Sequence, residues 1–490
     1  MPLYLICICA LILVLIIIAI IDLIQPTHGL RRTVPVLGRS RYFFEKLGDK
    51  FHQYIVESNR DGLPFNRRQR NWIYATSKGE PNKEGFGTDM DHTHPDYFCL
   101  QPAGLPKLDS KENYSANFLP CKKIMGPQRK KPYQSSLFNL SGMSLGAISP
   151  KAIESLNKGA KLARCYHNTG EGGFSKYHAY GADVIFQIGP GNFGVRKPDG
   201  SFDIDKLKEL VNKNPFIRAI QIKLSQGAKP HSASFLPAAK VKKEIAEIRG
   251  VAIGQNVISP ERNPEFSNAT ELLKFAEFIA NETGLPVGLK TALGKVDFWE
   301  ELCELMNSGL GKIDFIQWDC KLGGTGSGTY SFVHHMGLPL LNGFPKIYKI
   351  FKKHNLHTHV VFNASGKLGF PAEAIRALAM GVDAIDVARE GLLSIGCLQT
   401  QHCHVGGSIV NGGCPVGIAT MNKWSQRAIK PEVKSLRFAR YIKTLRKETL
   451  DLAHASGYAH PSEFSTKDVF MNSGDSRGLL SLYEMLNYEK

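Results

Sequence analysis

The sequence is poor in cysteine and carries fewer acidic than basic side chains. Ten cysteines in 490 residues are too few and too irregularly spaced for a small disulfide-bonded scaffold. Charged residues make up only 21% of the chain and hydrophobic residues 43%, which excludes extensive disorder, collagen-like repeats and a coiled-coil rod. Lys and Arg outnumber Asp and Glu by 61 to 44. We therefore expect anionic partners such as phosphate groups, keto acids or a membrane face, and no nucleic acid.

The first segment lacks charge altogether. Leu3 to Ile21 is a run of nineteen uncharged, mostly aliphatic residues, long enough for a helix to cross a hydrocarbon layer of ~30 Å. No Lys or Arg precedes it, and no small-residue cleavage site follows it before Gln25-Pro26. A single-pass anchor over residues 1–25 is therefore favoured over a cleaved signal peptide. The basic residues that follow predict a cytoplasmic location for the large C-terminal part. They are Arg31, Arg32, Arg39, Arg41 and Lys46.

Residues 26–135 are predicted to form a mixed N-terminal extension. A cluster of acidic residues and histidines in it, Asp89, Asp91, His92 and His94, could be a metal site. No helix pattern or cysteine orders these four side chains, so a solvated loop is favoured over a metal site.

From residue 136 to about 425, apolar strands alternate with amphipathic helices. Such alternation over ~250 residues predicts a parallel sheet, either doubly wound or closed as a (β/α)8 TIM barrel. No GxGxxG turn follows the first strand, which disfavours a dinucleotide-binding doubly wound sheet. Polar or glycine-rich loops follow at least six strand ends, as in a barrel whose site lies on its C-terminal face. The predicted strands are 137–140, 184–188, 217–224, 287–289, 315–318, 360–363 and 384–387, and a helical segment is predicted over residues 426–490.

Two late loops have the composition of a phosphate site. Asn363 to Gly369 precedes Pro371, and Ala388-Arg389-Glu390-Gly391 follows the last predicted strand. Barrel enzymes commonly bind phosphate with the loops after strands seven and eight and a nearby helix N-terminus. Glycines let the backbone approach closely, and Arg389 can add a charge-assisted hydrogen bond. A phosphate-bearing ligand is favoured over ordinary turn glycines.

Several motifs occur in the order and spacing of one family. They are Asn168-Thr169-Gly170-Glu171-Gly172-Gly173, Gln226-Gly227-Ala228-Lys229-Pro230, Gly323-Gly324-Thr325-Gly326, and Cys397 with Cys403, Cys414 and Pro415. On these motifs the sequence resembles the FMN-binding synthase domain of glutamate synthase. It is more closely similar to the stand-alone, membrane-anchored glutamate synthase-related proteins. Further similar stretches are Leu236 to Val241, Arg249-Gly250-Val251, Val56 to Asn59 and Pro64 to Arg67, so the resemblance covers nearly the whole chain.

The resemblance implies a barrel that binds FMN with its phosphate on the two late loops. Met143 and Ser144 would contact the isoalloxazine or the phosphoribityl chain, and Gly323-Gly324 would lie against the flavin. Lys290 would lie near flavin N1 and O2, where a cation stabilises the negative charge of the reduced flavin. A lysine that only reaches solvent is the alternative. The other cofactor-binding residues implied are Asn168, Ser365, Gly366, Ala388 and Arg389.

The resemblance also implies the reduction of 2-iminoglutarate, formed from 2-oxoglutarate and ammonia, to L-glutamate. Glu171 would lie by the flavin and the keto acid and organise or deliver a proton. Lys223 would pair with a substrate carboxylate. A structural salt bridge or a surface charge is the alternative for each residue. For the whole protein, the alternatives are an FMN oxidoreductase acting on another carbonyl or imine and a non-catalytic flavin-binding or scaffold protein.

By the same resemblance, Cys397, Cys403 and Cys414 would hold a 3Fe-4S cluster. The interval before the last cysteine is longer than in the family, but added loop length costs little entropy. Zinc bound with His402 or His404, or reduced thiols without metal, are the alternatives. Electrons would arrive through the cluster from a ferredoxin or a membrane redox protein, because no nicotinamide-binding Rossmann half is visible.

Three further features depart from the family pattern. The segment 231–234 replaces a glycine-rich turn on the substrate side, Ala364 replaces an acidic residue, and Ser327-Gly328-Thr329 replaces a short turn usually closed with Pro. Met1 opens into the apolar segment and not into a cysteine-nucleophile module for glutamine hydrolysis. We therefore expect ammonia to come from elsewhere.

Overall fold

The computed structural model describes residues 2–107, 114–230, 235–405 and 413–490. The chain divides into two compact units, Met1–Asn71 and Trp72–Lys490. The segments 231–234 and 406–412, which contain two of the departures noted above, lie outside the described residues. The helices of the first unit are α1 (Leu3–Ile24), α2 (Gly29–Thr33) and α3 (Gly38–Phe51), followed by a π-helical turn, His52–Val56, and the start of α4 (Arg67–Lys78).

Helix α1 forms from the uncharged run at the start of the chain. It has 22 residues and a mean hydropathy of 3.5 over its most apolar window. These values allow the helix to span a membrane. A signal sequence would meet the same criteria, so length and composition alone do not decide between the two.

The second unit is built around a closed barrel of parallel strands, which confirms the predicted TIM barrel. Its eight strands follow one another around the barrel in chain order. They are β2 (Phe138–Leu140), β3 (His167–Asn168), β4 (Val184–Ile188), β5 (Ile217–Lys223), β8 (Val287–Ala292), β9 (Phe315–Asp319), β10 (Val361–Ser365) and β11 (Ala384–Val387). The sequence prediction missed β3, because two residues are too short to show an apolar pattern. The remaining described strands are β1 (Phe98–Leu100), β6 (Phe235–Leu236), β7 (Val257–Ile258), β12 (Val469–Asn472) and β13 (Leu479–Ser481).

The helices around the barrel begin and end where their capping residues require. For α5 (Pro150–Ala163), the Ser149 side chain accepts a hydrogen bond from the backbone N–H of Ala152, and Pro150 occupies the first turn. The other helices of this unit are α6 (Ile204–Lys213), α7 (Lys243–Arg249), α8 (Ala269–Thr283), α9 (Asp297–Asn307), α10 (Tyr330–His335), α11 (Leu340–Lys353), α12 (Pro371–Ala379), α13 (Arg389–Ser394), α14 (Pro431–Ala455) and α15 (Leu482–Leu486). Helix α14 packs against α5 outside the barrel. Strand β1 pairs with β12, near the other end of the chain.

A chain of buried amide side chains crosses the barrel interior. Gln187 donates to Gln221 (2.6 Å), Gln221 donates to Gln317 (3.0 Å), and Gln317 donates to the Ser141 hydroxyl (2.8 Å). Asn168 also donates to Gln221, at 2.8 Å. Because a buried amide is costly when unpaired, this network fixes the relative positions of β3, β4, β5 and β9. The loops that follow these strands are held in register as a result.

Candidate active site

Glu171 lies on the loop after β3, where neighbouring glycines make room for it. Gly170 has a φ of +66°, which glycine adopts without a steric penalty. A Cβ atom added at Gly189, just past β4, would lie 2.6 Å from the Cβ of Glu171. Glu171 is itself 9% exposed, and its Oε1 lies 3.0 Å from Nζ of Lys223, the last residue of β5. The structure thus joins the two predicted catalytic residues in one buried ion pair.

Two further buried cations adjoin this pair. Burial, with the nearby Lys223 charge, lowers the pKa of Lys229 to about 8. Burial also lowers the pKa of Arg249 to about 10, and the Glu171 charge opposes that shift. We call Glu171, Lys223, Lys229 and Arg249 the Glu171 cluster. With all four ionised, it carries more positive than negative charge, which suits an anionic ligand.

Arg249 ends α7 and is held against the loop that bears Glu171. Its Nη2 donates to the carbonyl of Leu145 at 3.0 Å, and its guanidinium lies 5.0 Å from the ring centroid of Phe193. A Cβ atom added at Gly172 would lie 2.9 Å from Nη2 of Arg249. Sequence reasoning gave Arg249 no role, nor Lys229. The sequence contained a signal that Arg249 is buried, because its position along α7 places it on the same buried face as Ile245 and Ala246.

A second buried ion pair lies on the adjacent strands. Lys290 on β8 lies opposite Lys223 in the strand register, and its Nζ is 3.1 Å from Oδ2 of Asp319, the last residue of β9. The other oxygen of Asp319 accepts hydrogen bonds from the hydroxyl of Ser365 and, at 3.2 Å, from Gln317. Sequence reasoning named Lys290 and Ser365 but not Asp319, which joins them.

The two late loops lie side by side. The backbone N–H of Gly369 donates to Glu390 at 3.3 Å, which links the loop after β10 to the first turn of α13. Gly366 has a φ of +125°, and a Cβ atom added there would lie 3.0 Å from the Cβ of Cys320. Burial and the neighbouring Arg389 lower the pKa of Lys367. The two loops thus bring two mutually repelling cations together beside glycine backbone.

The loop after β9 reaches the same place. Arg389 donates to the carbonyl of Leu322, and a Cβ atom added at Gly324 would lie 2.5 Å from Cδ of Arg389. Gly323, Gly324, Gly366 and Arg389 are therefore neighbours. Ala388 directly precedes α13.

The loop after β2 contacts the loop that bears Glu171. A Cβ atom added at Gly170 would lie 2.7 Å from the backbone nitrogen of Ser144 and 3.0 Å from the carbonyl carbon of Met143. The Asn168 side chain accepts a hydrogen bond from the N–H of Gly170 at 2.9 Å. Met143, Ser144 and Asn168 thus border the Glu171 cluster.

These residues fit a flavin nucleotide. Close backbone approaches at Gly324 and Gly366, with Arg389 and Lys367 beside them, suit a phosphate group. Lys290 supplies a buried cation on the same face of the barrel. FMN would be held by these residues and would bring hydride chemistry to this face.

The three predicted metal-binding cysteines interact electrostatically with one another. Burial raises the pKa of the Cys397 thiol to about 12, and the charges of Cys403 and Cys414 act in the same direction. Lys240 is almost fully buried and donates to the Cys403 carbonyl at 2.9 Å. Cys397 follows α13 and also interacts electrostatically with Arg389.

The remaining departures and candidates have clear positions. Ala364 is fully buried in β10. The turn at 327–329 is tied to the motif after β5, since Thr325 donates to the Ser327 carbonyl (3.0 Å) and Gln226 donates to Thr325 (3.3 Å). Asp89, Asp91, His92 and His94 lie exposed between α4 and β1, where Asp91 accepts a hydrogen bond from Thr93.

A cavity of about 750 Å³ adjoins the Glu171 cluster. Phe193, whose ring lies under Arg249, and Gly250 both line it. Cavities of this size hold small molecules.

A profile of the conserved region in glutamate synthase matches residues 105–459. The glutamate synthase large subunit-like protein YerD of Bacillus subtilis is 33% identical over 486 residues, a match that covers 92% of this chain and 91% of YerD. This chain belongs to the glutamate synthase family. The resemblance inferred from the motifs is thereby confirmed, and membership supports FMN as cofactor and oxidoreduction as the reaction class.

Other members of the glutamate synthase family match a shorter stretch. The archaeal glutamate synthase [NADPH] of Methanocaldococcus jannaschii is 27% identical over 319 residues, which is 65% of this chain but only 58% of that protein. Among solved structures, a mutant flavocytochrome b2 with benzoylformate is 13% identical, with a TM-score of 0.46 over 93% of this chain and 92% of its own.

Proposed function

We propose that this protein is an FMN-dependent oxidoreductase that reduces 2-iminoglutarate, formed from 2-oxoglutarate and ammonia, to L-glutamate. The observation that carries the proposal is the Glu171 cluster, in which one carboxylate lies among three buried cations. 2-Oxoglutarate has two carboxylates, and the excess positive charge of the cluster matches that dianion. The cluster lies on the same end of the barrel as the residues that fit a flavin.

The cations of the cluster have a binding role in this proposal. Lys223, Lys229 and Arg249 would pair with the two carboxylates of the substrate. Guanidinium groups bind carboxylates through paired hydrogen bonds, and Arg249 is already oriented by Leu145 and Phe193. Such preorganisation fixes the C2 atom of the substrate relative to the barrel.

Glu171 has the proton-handling role. Reduction of a carbon–nitrogen double bond adds a hydride at carbon and a proton at nitrogen. Glu171 is the carboxyl group of the cluster, and its contact with Lys223 holds Oε1 in place. It would hold and release the proton that the imine nitrogen takes up.

We further propose a 3Fe-4S cluster at Cys397, Cys403 and Cys414. Three cysteines that interact electrostatically with one another and with Lys240 support this assignment over zinc, because soft thiolate ligands suit an iron–sulfur cluster. Cys397 follows α13 and interacts electrostatically with Arg389, so the proposed cluster would adjoin the late loops. Electrons would come from a ferredoxin or a membrane redox protein.

The location of the protein is part of the proposal. Helix α1 is long and apolar enough to serve as a single-pass anchor, and the arginines after it favour a cytoplasmic catalytic domain. The proposed divisions are the anchor at residues 1–25, the extension at 26–135, the FMN-binding barrel at 136–425 and the C-terminal segment at 426–490.

The test uses the full chain purified in detergent. We expect flavin and iron–sulfur absorption bands, bound FMN and iron, and glutamate formation from 2-oxoglutarate and ammonium under a strong reductant. Bound FMN with no glutamate and no spectral response to 2-oxoglutarate would assign the protein to another carbonyl or imine. A colourless protein that does not bind added FMN would make it a scaffold with an inactive site.

A further inference from the structure

The first unit exposes a row of large apolar side chains beyond α1. Phe43, Phe44 and Phe51 on α3, and Tyr54 and Ile55 on the turn after it, are each at least half exposed. Phe51 follows Phe44 by seven residues, and Tyr54 and Ile55 follow Phe51 by three and four. These intervals place side chains along one side of a helix. Within unit one, an apolar face of this kind needs a partner, because exposed aromatic groups in water are unfavourable. We call these five residues the α3 stripe.

The surrounding sequence is strongly basic. Residues 26–70 contain ten Lys and Arg against four Asp and Glu. Arg32 and Arg41, which flank the beginning of α3, are both exposed. An amphipathic helix with an aromatic face and basic neighbours is the pattern of a helix that lies in the headgroup layer of a membrane.

The start of α3 is fastened to the end of α1. Asp22, in the last turn of α1, is fully buried; it lies 2.8 Å from Nη2 of Arg31 and 2.8 Å from Nε of Arg39. It also accepts a hydrogen bond from the N–H of Val36 at 3.1 Å. A buried carboxylate with two arginine partners is costly to separate. The junction therefore ties the start of α3 to the end of the apolar helix.

From these three observations we propose that the α3 stripe lies in the headgroup layer of an anionic phospholipid bilayer, as a second membrane contact beside α1. The apolar side chains enter the boundary of the acyl region, and the arginines meet lipid phosphates. The charge favours lipid over a second copy of this chain, since a dimer through α3 would bring two basic segments together. The contact limits the orientations that the first unit can take at the membrane surface.

The test places one tryptophan reporter on the α3 stripe and one off it. Both variants are full chains reconstituted in phosphatidylcholine and phosphatidylserine vesicles. Phe44→Trp reports from the stripe, and Gln53→Trp is the matched control in the following turn. The unsubstituted chain supplies the background emission of the native tryptophans. We expect brominated lipid to quench most of the added emission of Phe44→Trp and little of that of Gln53→Trp.

Three results would overturn the proposal. Equal quenching of both reporters, or of neither, would show that the stripe does not face lipid selectively. Shielding of the Phe44→Trp reporter that depends on protein concentration, without quenching by lipid, would assign the face to a second copy. Removal of phosphatidylserine should weaken the quenching of Phe44→Trp, and an unchanged signal would exclude the role of the arginines.

Discussion

Two lysine–carboxylate pairs lie on adjacent strands of the barrel and differ in their surroundings. The Lys223–Glu171 and Lys290–Asp319 pairs have nearly equal separations, 3.0 and 3.1 Å, and similar burial. Asp319 also accepts hydrogen bonds from Gln317, which belongs to the interior amide network, and from the hydroxyl of Ser365. Glu171 instead lies on a glycine-flanked loop, with Lys229 and Arg249 nearby.

The difference shows how the same kind of ion pair can be held fixed beside a cofactor or left with surplus charge for a substrate. The Lys290–Asp319 pair is balanced in charge and fixed by neutral donors, which holds Lys290 in one position on the flavin-fitting face of the barrel. The Glu171 cluster has surplus positive charge that an anion can neutralise. The first three experiments below separate these two roles.

The largest effect is expected from Glu171→Gln. This change removes the proposed proton carrier and should lower kcat by about 10²–10⁴-fold, with FMN content unchanged. Steady-state glutamate formation and flavin absorbance measure the two quantities. Asp319→Asn is the matched change in the other pair. If it lowered kcat equally with flavin retained, the assignment of separate roles would fail.

The next effect concerns stability. Lys290→Met leaves Asp319 buried without its lysine, and breaking a buried pair in this way costs about 3–5 kcal/mol. Lys223→Met should cost less, because Lys229 and Arg249 still lie near Glu171. Urea midpoints followed by tryptophan fluorescence compare the variants. The double variant Lys290→Met/Asp319→Asn should recover most of the loss. Equal losses of stability in Lys290→Met and Lys223→Met would contradict the distinction between the two ion pairs.

A third effect is a pH dependence specific to the Glu171 cluster. The pKa of Lys229 is lowered to about 8, so the side chain is charged below that pH and becomes neutral above it. We expect kcat/KM for 2-oxoglutarate to fall as pH rises through about 8, since this ratio reports the free enzyme. The expected fall in kcat/KM corresponds to the loss of one charged hydrogen bond, which is worth about 1.5–3 kcal/mol. Lys229→Arg should keep the charge and flatten the profile. An unchanged pH profile in that variant would exclude Lys229 as the group responsible.

A fourth effect, on stability alone, concerns a further carboxylate in the barrel, Asp386, which accepts a hydrogen bond from the Tyr166 hydroxyl. Burial raises its pKa to about 7, above the unfolded value of about 3.9. Native Asp386 thus keeps its proton where the unfolded chain has lost it, so stability should fall between about pH 4 and 7. Asp386→Asn removes this ionisation and should raise Tm at pH 8 but not at pH 4. A Tm gain of the same size at both pH values would refute this origin.

The barrel was predictable because its strands and helices are marked locally. Helices α5 and α8 have ends that the sequence marks, since capping side chains, Pro150 and an apolar spacing all act within a few residues. Strand β3 was missed because it is defined by pairing with β2 and β4 and not by its own composition. The motif that begins at the end of β3, Asn168 to Gly173, was nevertheless recognisable in the sequence.

The site was predictable only in part. Glu171, Lys223 and Lys290 were named through the family resemblance, whereas Lys229, Arg249 and Asp319 emerged from the structure. Arg249 reaches the Glu171 loop from α7, far along the chain; its place on the buried face of α7 marks it as buried but does not identify this partner. The interval between Cys403 and Cys414 is a departure from the family that the sequence shows, whereas the electrostatic interaction between these two thiols emerged from the structure.

The sequence by itself determined the apolar helix, the alternation of strands and helices, and the residue types that a flavin site requires. These features depend on hydrophobic spacing and capping, which act over a few residues. Only the tertiary structure decided which lysine faces which carboxylate and which cations surround Glu171. Those partners come from different strands, and barrel closure with its strand register, not chain proximity, sets the distances between them.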